Sequence, residues 1–325
     1  MEETIEFAPK PKEGEPWDVA IIGSGPAGLT AAIYTTRGAA STLILGGEKW
    51  GGQLMLTTEV DNFPAHPGIQ GPELMLKMRD HATRFGGEFV EKNVESVDFT
   101  KYPFELTASD RKYLAKTVII ATGADTRWLG IPGEDKLRGR GVSSCAPCDA
   151  PFFKNKNVAV IGGGDAAMEE ALVLTKYATS VTIIHRRDAF KASAAMQKKV
   201  FDLEKQGKIK IMWDASPVEF VGDKKLEKVK LKNTKTEESS EMLFDGAFVA
   251  IGHIPSTKVF GDRLELDAKG YVVVHDHTGT NIAGVYVAGD VHDYHYRQAV
   301  TAAGFGCMAA LDTLKFLDDQ RTKKV

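Results

Sequence analysis

Short apolar runs closed by glycine recur along this chain, and their spacing predicts alternating strands and helices. Asp18-Val19-Ala20-Ile21-Ile22 has the character of a buried strand. It leads into Gly23-Ser24-Gly25-Pro26-Ala27-Gly28 and then an Ala- and Leu-rich helix over 29–37, with Gly38 as its C-cap. Thr42-Leu43-Ile44-Leu45 reads as the next strand, and 117–121 as another, ending at Thr122-Gly123. The order then restarts. Val158-Ala159-Val160-Ile161 is a strand, Gly162-Gly163-Gly164-Asp165-Ala166-Ala167 its turn, 168–177 a helix and Val181-Thr182-Ile183-Ile184 the following strand. Phe248-Val249-Ala250-Ile251-Gly252 echoes the run that ends at Gly123, while Val285-Tyr286-Val287-Ala288 has no counterpart before residue 157. A closing strand that arrives only after a second unit implies that the second unit is inserted into the first, with crossings near 124–128 and 252–256. The charged stretch over 214–245 reads as a strand hairpin and carries no functional signal.

Composition narrows the classes. With 43% hydrophobic and 26% charged residues, the 325-residue chain is ordinary globular material, long enough for two cores. Lys and Arg number 41 against 44 Asp and Glu, a net charge of −3, so no basic field exists for nucleic acid or anionic lipid. No window holds the about 18 uninterrupted apolar residues of a membrane span. The acidic, proline-containing start from Met1 to Pro16 lacks the apolar core of a secretion signal. The expectation is a cytoplasmic protein that binds neither nucleic acid nor membrane.

Each glycine turn has a strand before it, a helix after it and a further strand about 20 residues on, which is the context a dinucleotide site needs. Gly23 suits the tight turn, Gly25 lets the backbone approach a pyrophosphate, and Gly28 lets helix and strand pack closely. The expected fold is α/β with two Rossmann-like domains: 1–127 with 253–325, and 128–252 inserted. The copies differ where their second strands end. After the first, Gly46-Gly47-Glu48 offers a carboxylate to ribose hydroxyls, which suits FAD; after the second, His185-Arg186-Arg187 offers guanidiniums to a 2′-phosphate, which suits NADPH over NADH. Near the C-terminal end, Gly289-Asp290 supplies an acid for a ribityl hydroxyl, and Arg297-Gln298-Ala299 opens a helix whose N-terminus favours the charge of reduced flavin.

Cys145-Ala146-Pro147-Cys148-Asp149 lacks the further ligands of a structural zinc site. A pair cycling between dithiol and disulfide fits the spacing best, with inert core thiols or an incidental surface pair as alternatives. Asp149 is a natural proton donor or acceptor for leaving thiolates, and an N-cap before Pro151-Phe152-Phe153 is its alternative reading. Cys307, in a small-residue helix, reads as a packed thiol.

Taken with Gly51-Gly52-Gln53-Leu54, Thr57-Thr58-Glu59-Val60-Asp61-Asn62-Phe63-Pro64, Gly139-Arg140-Gly141-Val142 and Tyr296-Arg297-Gln298-Ala299, these motifs make the chain resemble a low-molecular-weight thioredoxin reductase from about Val19 to Leu317. The resemblance implies a homodimer that reduces thioredoxin, with electrons passing from NADPH to FAD to a Cys145–Cys148 disulfide on the NADPH domain, and a domain rotation between half-reactions. It implies that Cys148 lies nearer the flavin, that Cys145 attacks thioredoxin and that Asp149 is the general acid. Residues expected at FAD are Gly23, Ser24, Gly25, Pro26, Ala27, Gly28, Glu48, Gly51, Gly52, Gln53, Asn62, Val94, Ala121, Thr122, Gly123, Gly289, Asp290, Arg297, Gln298 and Ala299. Those expected at NADPH are Gly162, Gly163, Gly164, Asp165, Ala166, His185, Arg186, Arg187 and Lys191. The chain departs from the family at Ala150-Pro151 after the acid, at Lys191 in place of an arginine, at Phe305, and at an inserted Trp50. A ferredoxin-driven relative should lack the arginine pair. A redox-sensing flavoprotein without turnover is the alternative from another functional class.

Overall fold

The computed structural model describes residues 8–57 and 59–322; the expectations made for Met1–Phe7 and Thr58 fall outside them. The chain forms two compact units, one running to Asp125 and resuming at Ile254, the other Thr126–His253.

The outer unit is built on a seven-stranded sheet. Strands Glu88–Val90, Thr42–Leu45, Trp17–Ile22 and Arg111–Ile120 lie side by side and parallel. Ile21, Leu43, Ile44, Ile119 and Ile120 are fully buried, which is why these strands read as continuous apolar runs and not as alternation. The ten-residue strand Arg111–Ile120 serves two neighbours on one edge. Its first half pairs antiparallel with Phe104–Ala108, and its last three residues, Val118 to Ile120, pair parallel with Val285–Val287. The closing strand therefore completes the sheet that the inserted unit interrupts. Only the second half of Arg111–Ile120 was legible as a strand, because its start alternates between exposed and buried positions. Helix Pro26–Arg37 packs along the closing helix Ala299–Thr322. By length and composition that closing helix could cross a membrane. Here its Ala302, Ala309, Ala310 and Leu317 share one core with Ala27, Ala31 and Ala32.

The inserted unit repeats the plan. Five parallel strands run in the order Val142–Ser143, Gly246–Val249, Asn157–Ile161, Ser180–Ile184, Ile209–Met212. Val142–Ser143 flanks its neighbour as Val285–Val287 does in the outer sheet, so the closing strand does have a counterpart before residue 157. Two residues without an apolar run gave no sign of it. The helix after the second glycine turn is Asp165–Leu174, starting and stopping three residues earlier than its pattern suggests. The stretch read as a hairpin is a three-stranded antiparallel sheet, Ala215–Val221, Lys228–Asn233 and Ser239–Leu243.

Candidate active site

At the first glycine turn, the side chains that glycine lacks define the shape. Gly23 has φ +112°, and a Cβ there would stand 2.2 Å from the Ala121 carbonyl oxygen. A Cβ on Gly28 would stand 2.1 Å from the Gly23 carbonyl oxygen, whereas one on Gly25 would meet nothing within 4 Å. Two of the three glycines thus close the strand-turn-helix junction, and the middle one faces open space. Helix Pro26–Arg37 starts there with no side-chain cap and no acid in its first turn, leaving its amides to an anion. The Ser24 hydroxyl donates to Gly46 O at 2.6 Å and accepts from Gly51 N at 2.9 Å, fastening the turn to the loop Gly46–Gly52. The inserted Trp50 packs edge-on against Phe89 with centroids 5.9 Å apart, under the Arg79 guanidinium at 4.6 Å.

The fold gathers distant residues around this turn. A Cβ on Gly289 would lie 2.9 Å from Ala27 Cβ, and one on Gly306 would lie 2.1 Å from Ala27 O, so the closing strand and helix come up against the first helix. Asn62 Nδ2 donates to Gln298 Oε1 at 3.2 Å across 236 residues of sequence. Gln53 Nε2 donates to Asp125 Oδ1 at 3.0 Å, and Thr122 Oγ1 donates to Ser256 O at 2.8 Å. Glu48 is exposed, its amide held by Asn93 Oδ1 at 3.2 Å beside Val94. Asp290 is pushed up to about 6 by burial, reinforced by Asp293 and opposed by Arg297, and among the described residues no hydrogen bond to its carboxyl offsets the desolvation. A buried carboxylate of this kind lacks a donor that a ribityl hydroxyl supplies. Together with the open cradle at Gly25, it fits this unit to FAD. Asp293 was not singled out in the sequence. It accepts from the amides of His295, Tyr296 and Arg297 at 3.0, 2.9 and 3.2 Å and so shapes the entry to the closing helix. Phe305 packs edge-on against His292 at 4.5 Å.

The second turn is tighter. A Cβ on Gly162 would meet Ala250 O at 2.4 Å, one on Gly163 would strike the His185 ring at 2.2 Å, and Gly164 opens to free space. His185 is buried, its Nε2 on Ala189 O at 3.0 Å, and burial pulls its pKa down. It works as a wedge under the turn. Asp165 Oδ1 accepts from Ser193 N at 2.8 Å and Ser193 Oγ at 2.7 Å, and the Lys191 amide donates to Gly163 O at 2.7 Å, which ties 191–193 to the turn. Arg186 and Arg187 are exposed. The nearby carboxylates are taken by Lys235, at 2.8 Å from Asp188 and 3.0 Å from Asp214, so both guanidiniums lack an ion pair among the described residues. These features fit a phosphorylated dinucleotide.

The cysteines follow directly on Val142–Ser143, at the carboxyl edge of the same sheet as the second turn. Cys145 and Cys148 are joined in a disulfide with Cα atoms 5.4 Å apart, spanning the short helix Ala146–Asp149. Both are partly accessible. The Cys145 amide donates to Ser143 Oγ at 3.1 Å, and the amides of Cys148 and Asp149 both donate to Cys145 O, at 3.2 and 3.1 Å. Burial raises the pKa of Asp149, and a hydrogen bond from Ser143 opposes this. A carboxyl so placed holds its proton more readily than a free one. Glu170, from helix Asp165–Leu174, accepts a hydrogen bond from the Ala146 amide. Neither Ser143 nor Glu170 belongs to a recognisable motif, and sequence alone did not single them out. Cys307 is the free thiol among the described residues.

Residues 17–306 match the pyridine nucleotide-disulphide oxidoreductase family. The thioredoxin reductase of Streptomyces coelicolor is 51% identical over 304 residues, 92% of this chain and 94% of that protein. That of Coxiella burnetii is 46% identical over 305 residues, 92% and 95% of the two chains. Among solved structures, thioredoxin reductase from Giardia duodenalis superposes with a TM-score of 0.89 at 41% identity, covering 94% of this chain and 99% of that one. A ferredoxin-flavin thioredoxin reductase from Clostridium acetobutylicum matches at 33% identity with a TM-score of 0.50, over 94% and 99% of the chains. A family match over residues 17–306, with identity of 46–51% over 92% of the chain to thioredoxin reductases, makes the chain a pyridine nucleotide-disulphide oxidoreductase of the thioredoxin reductase group.

Proposed function

We propose that this protein is an NADPH-dependent thioredoxin-disulfide reductase, passing electrons from NADPH through FAD to the Cys145–Cys148 disulfide and on to thioredoxin. One observation carries the reading. A bonded, partly accessible cysteine pair stands beside an acid of raised pKa at the edge of a nucleotide-binding sheet. The outer unit is the FAD domain, held through Gly23–Gly28, the loop Gly46–Gly52 and Asp290. The inserted unit is the NADPH domain, with Arg186 and Arg187 on the 2′-phosphate. Ferredoxin as donor would leave those two guanidiniums without a purpose.

FAD, when bound, supplies a two-electron carrier between the nicotinamide hydride and the disulfide. The chain's own groups do the thiol chemistry. Reduction opens the Cys145–Cys148 bond, taking up two electrons and two protons. The Cys145 thiolate attacks one sulfur of the thioredoxin disulfide, forming a mixed disulfide and releasing one thioredoxin thiolate. Cys148 then attacks the Cys145 sulfur, restoring the intramolecular bond and releasing the second thiolate. Asp149 delivers protons to the leaving thiolates. Because cysteines and nicotinamide site belong to one inserted unit and both must reach the same flavin, that unit moves as a body about the crossings 124–128 and 252–256 in each cycle. Steady NADPH oxidation with thioredoxin present tests the reading. Flavin reduction that stops after one equivalent would mark a redox sensor.

The same reading makes the protein a cytoplasmic homodimer. Val300, Met308 and Leu311 are 44%, 42% and 53% exposed and lie with Gly304 on one stripe of the closing helix. A continuous apolar stripe suits self-complementary packing about a twofold axis. Leu311→Glu should lower the solution mass from twice 35.4 kDa to 35.4 kDa by light scattering. An unchanged mass would remove this surface from the interface.

A further inference from the structure

The turn that carries the cysteines has few amides to offer a thiolate. Ala146 N–H is held by Glu170, Pro147 has none, and the amides of Cys148 and Asp149 both go to Cys145 O. The Cys145 amide itself is on Ser143 Oγ. In a C-x-x-C site at a helix start, free amides and the helix dipole are what lower the attacking thiol's pKa, and a stabilised thiolate makes the couple a stronger oxidant. Here the Ala146 amide is instead taken by the Glu170 carboxylate, which brings a negative charge to the residue next to Cys145.

We propose that Glu170 is a positioning residue that keeps the Cys145–Cys148 couple reducing, by occupying the Ala146 amide and opposing ionisation of Cys145. This rests on the redox-active reading of the pair, but not on the identity of its partner. Among the described residues, the ionisable groups on this turn and on the helix that packs against it are Asp149 on the turn itself and Asp165, Glu169 and Glu170 on helix Asp165–Leu174. Asp165 is engaged by Ser193 and Glu169 is exposed, while Glu170 is the carboxylate bonded to the cysteine segment. A reductase must hand electrons onward, and a couple kept poor in thiolate does so more readily.

The experiment uses the FAD-loaded protein carrying Glu170→Gln or Glu170→Ala. Glutamine keeps an acceptor for the Ala146 amide and removes only the charge; alanine removes both. Two quantities are read: the pH dependence of Cys145 alkylation by iodoacetamide after reduction, and the dithiol-to-disulfide ratio in glutathione buffers. In Glu170→Gln the Cys145 pKa should fall by about one unit, the scale of losing one nearby charge in a half-solvated site. At pH 9 the equilibrium with glutathione should then shift toward the dithiol by up to about tenfold, about 30 mV for a two-electron couple. At a pH low enough that neither protein alkylates appreciably as thiolate, the shift should vanish. Glu170→Ala should fall at least as far. A Glu170→Gln protein with the original alkylation profile and the original ratio at pH 9 overturns the proposal, even if Glu170→Ala differs, because the carboxylate would then be only a tether. Loss of thioredoxin turnover with these two readouts shifted as expected would count against the partner and leave the role of Glu170 standing.

Discussion

Serine at either Cys145 or Cys148 should leave FAD reducible by NADPH and lower thioredoxin turnover at least about 10³-fold, because members of one covalent relay fail together and not additively. The two sulfurs are bonded to each other, so each depends on the other twice: once to accept electrons as a disulfide, and again to resolve the mixed disulfide. With Cys148→Ser, Cys145 retains its nucleophile but has no partner to release it, and a stable covalent adduct with thioredoxin should accumulate. With Cys145→Ser no such adduct should form if Cys145 is the attacking sulfur. Stopped-flow flavin bleaching checks the first half-reaction and non-reducing electrophoresis the second. Full turnover by either variant would end the relay assignment, and an adduct on Cys145→Ser alone would reverse the roles. Cys307→Ser should keep the activity, since that thiol takes no part in the disulfide.

How much of this was legible in the sequence depended on how buried each element is. Strands such as Trp17–Ile22 and Asn157–Ile161, buried on both faces, show as uninterrupted apolar runs and were read within one residue at each end. Val142–Ser143 is too short to make a pattern, yet it is the strand that delivers the cysteines to the sheet edge. The glycines were legible because each is forced: a Cβ at Gly23, Gly28, Gly162 or Gly163 would collide with a backbone or ring atom. The long-range pairs were not. Nothing local tells Asn62 that Gln298 will face it, or tells Glu170 that the Ala146 amide will need an acceptor; both follow from how the sheets close. His185, expected at NADPH from its motif, also has its ring packed at Gly163 with Nε2 on Ala189 O, a support for the turn that the sequence did not announce. Lys235 lies in the stretch that carried no signal, and it holds Asp188, next to the arginine pair in sequence, and Asp214, whose amide donates to Arg187 O.

That last arrangement bears on coenzyme choice. Removing both Arg186 and Arg187 should weaken NADPH binding about 10²–10⁴-fold, since each loses one charge-assisted contact to the 2′-phosphate. NADH carries no such phosphate, so its affinity should change little. The selectivity between the coenzymes should therefore collapse by nearly the whole loss in NADPH affinity. The two arginines follow the buried strand Ser180–Ile184 and are themselves exposed, so their removal leaves the core in place. Their backbone carbonyls accept from Thr234 Oγ1 at 3.0 Å and from the Asp214 amide at 3.3 Å, bonds that any side chain retains. Lys235 supplies an internal control. Lys235→Ala frees Asp188 and Asp214, whose carboxylates then compete for the guanidiniums, so NADPH affinity should drop in the same direction but by less. Titration calorimetry with 2′,5′-ADP isolates the phosphate contact from hydride transfer. Equal losses for NADPH and NADH would show that the arginines hold the turn together and do not read the phosphate, and the choice of donor would have to be sought elsewhere in the inserted unit.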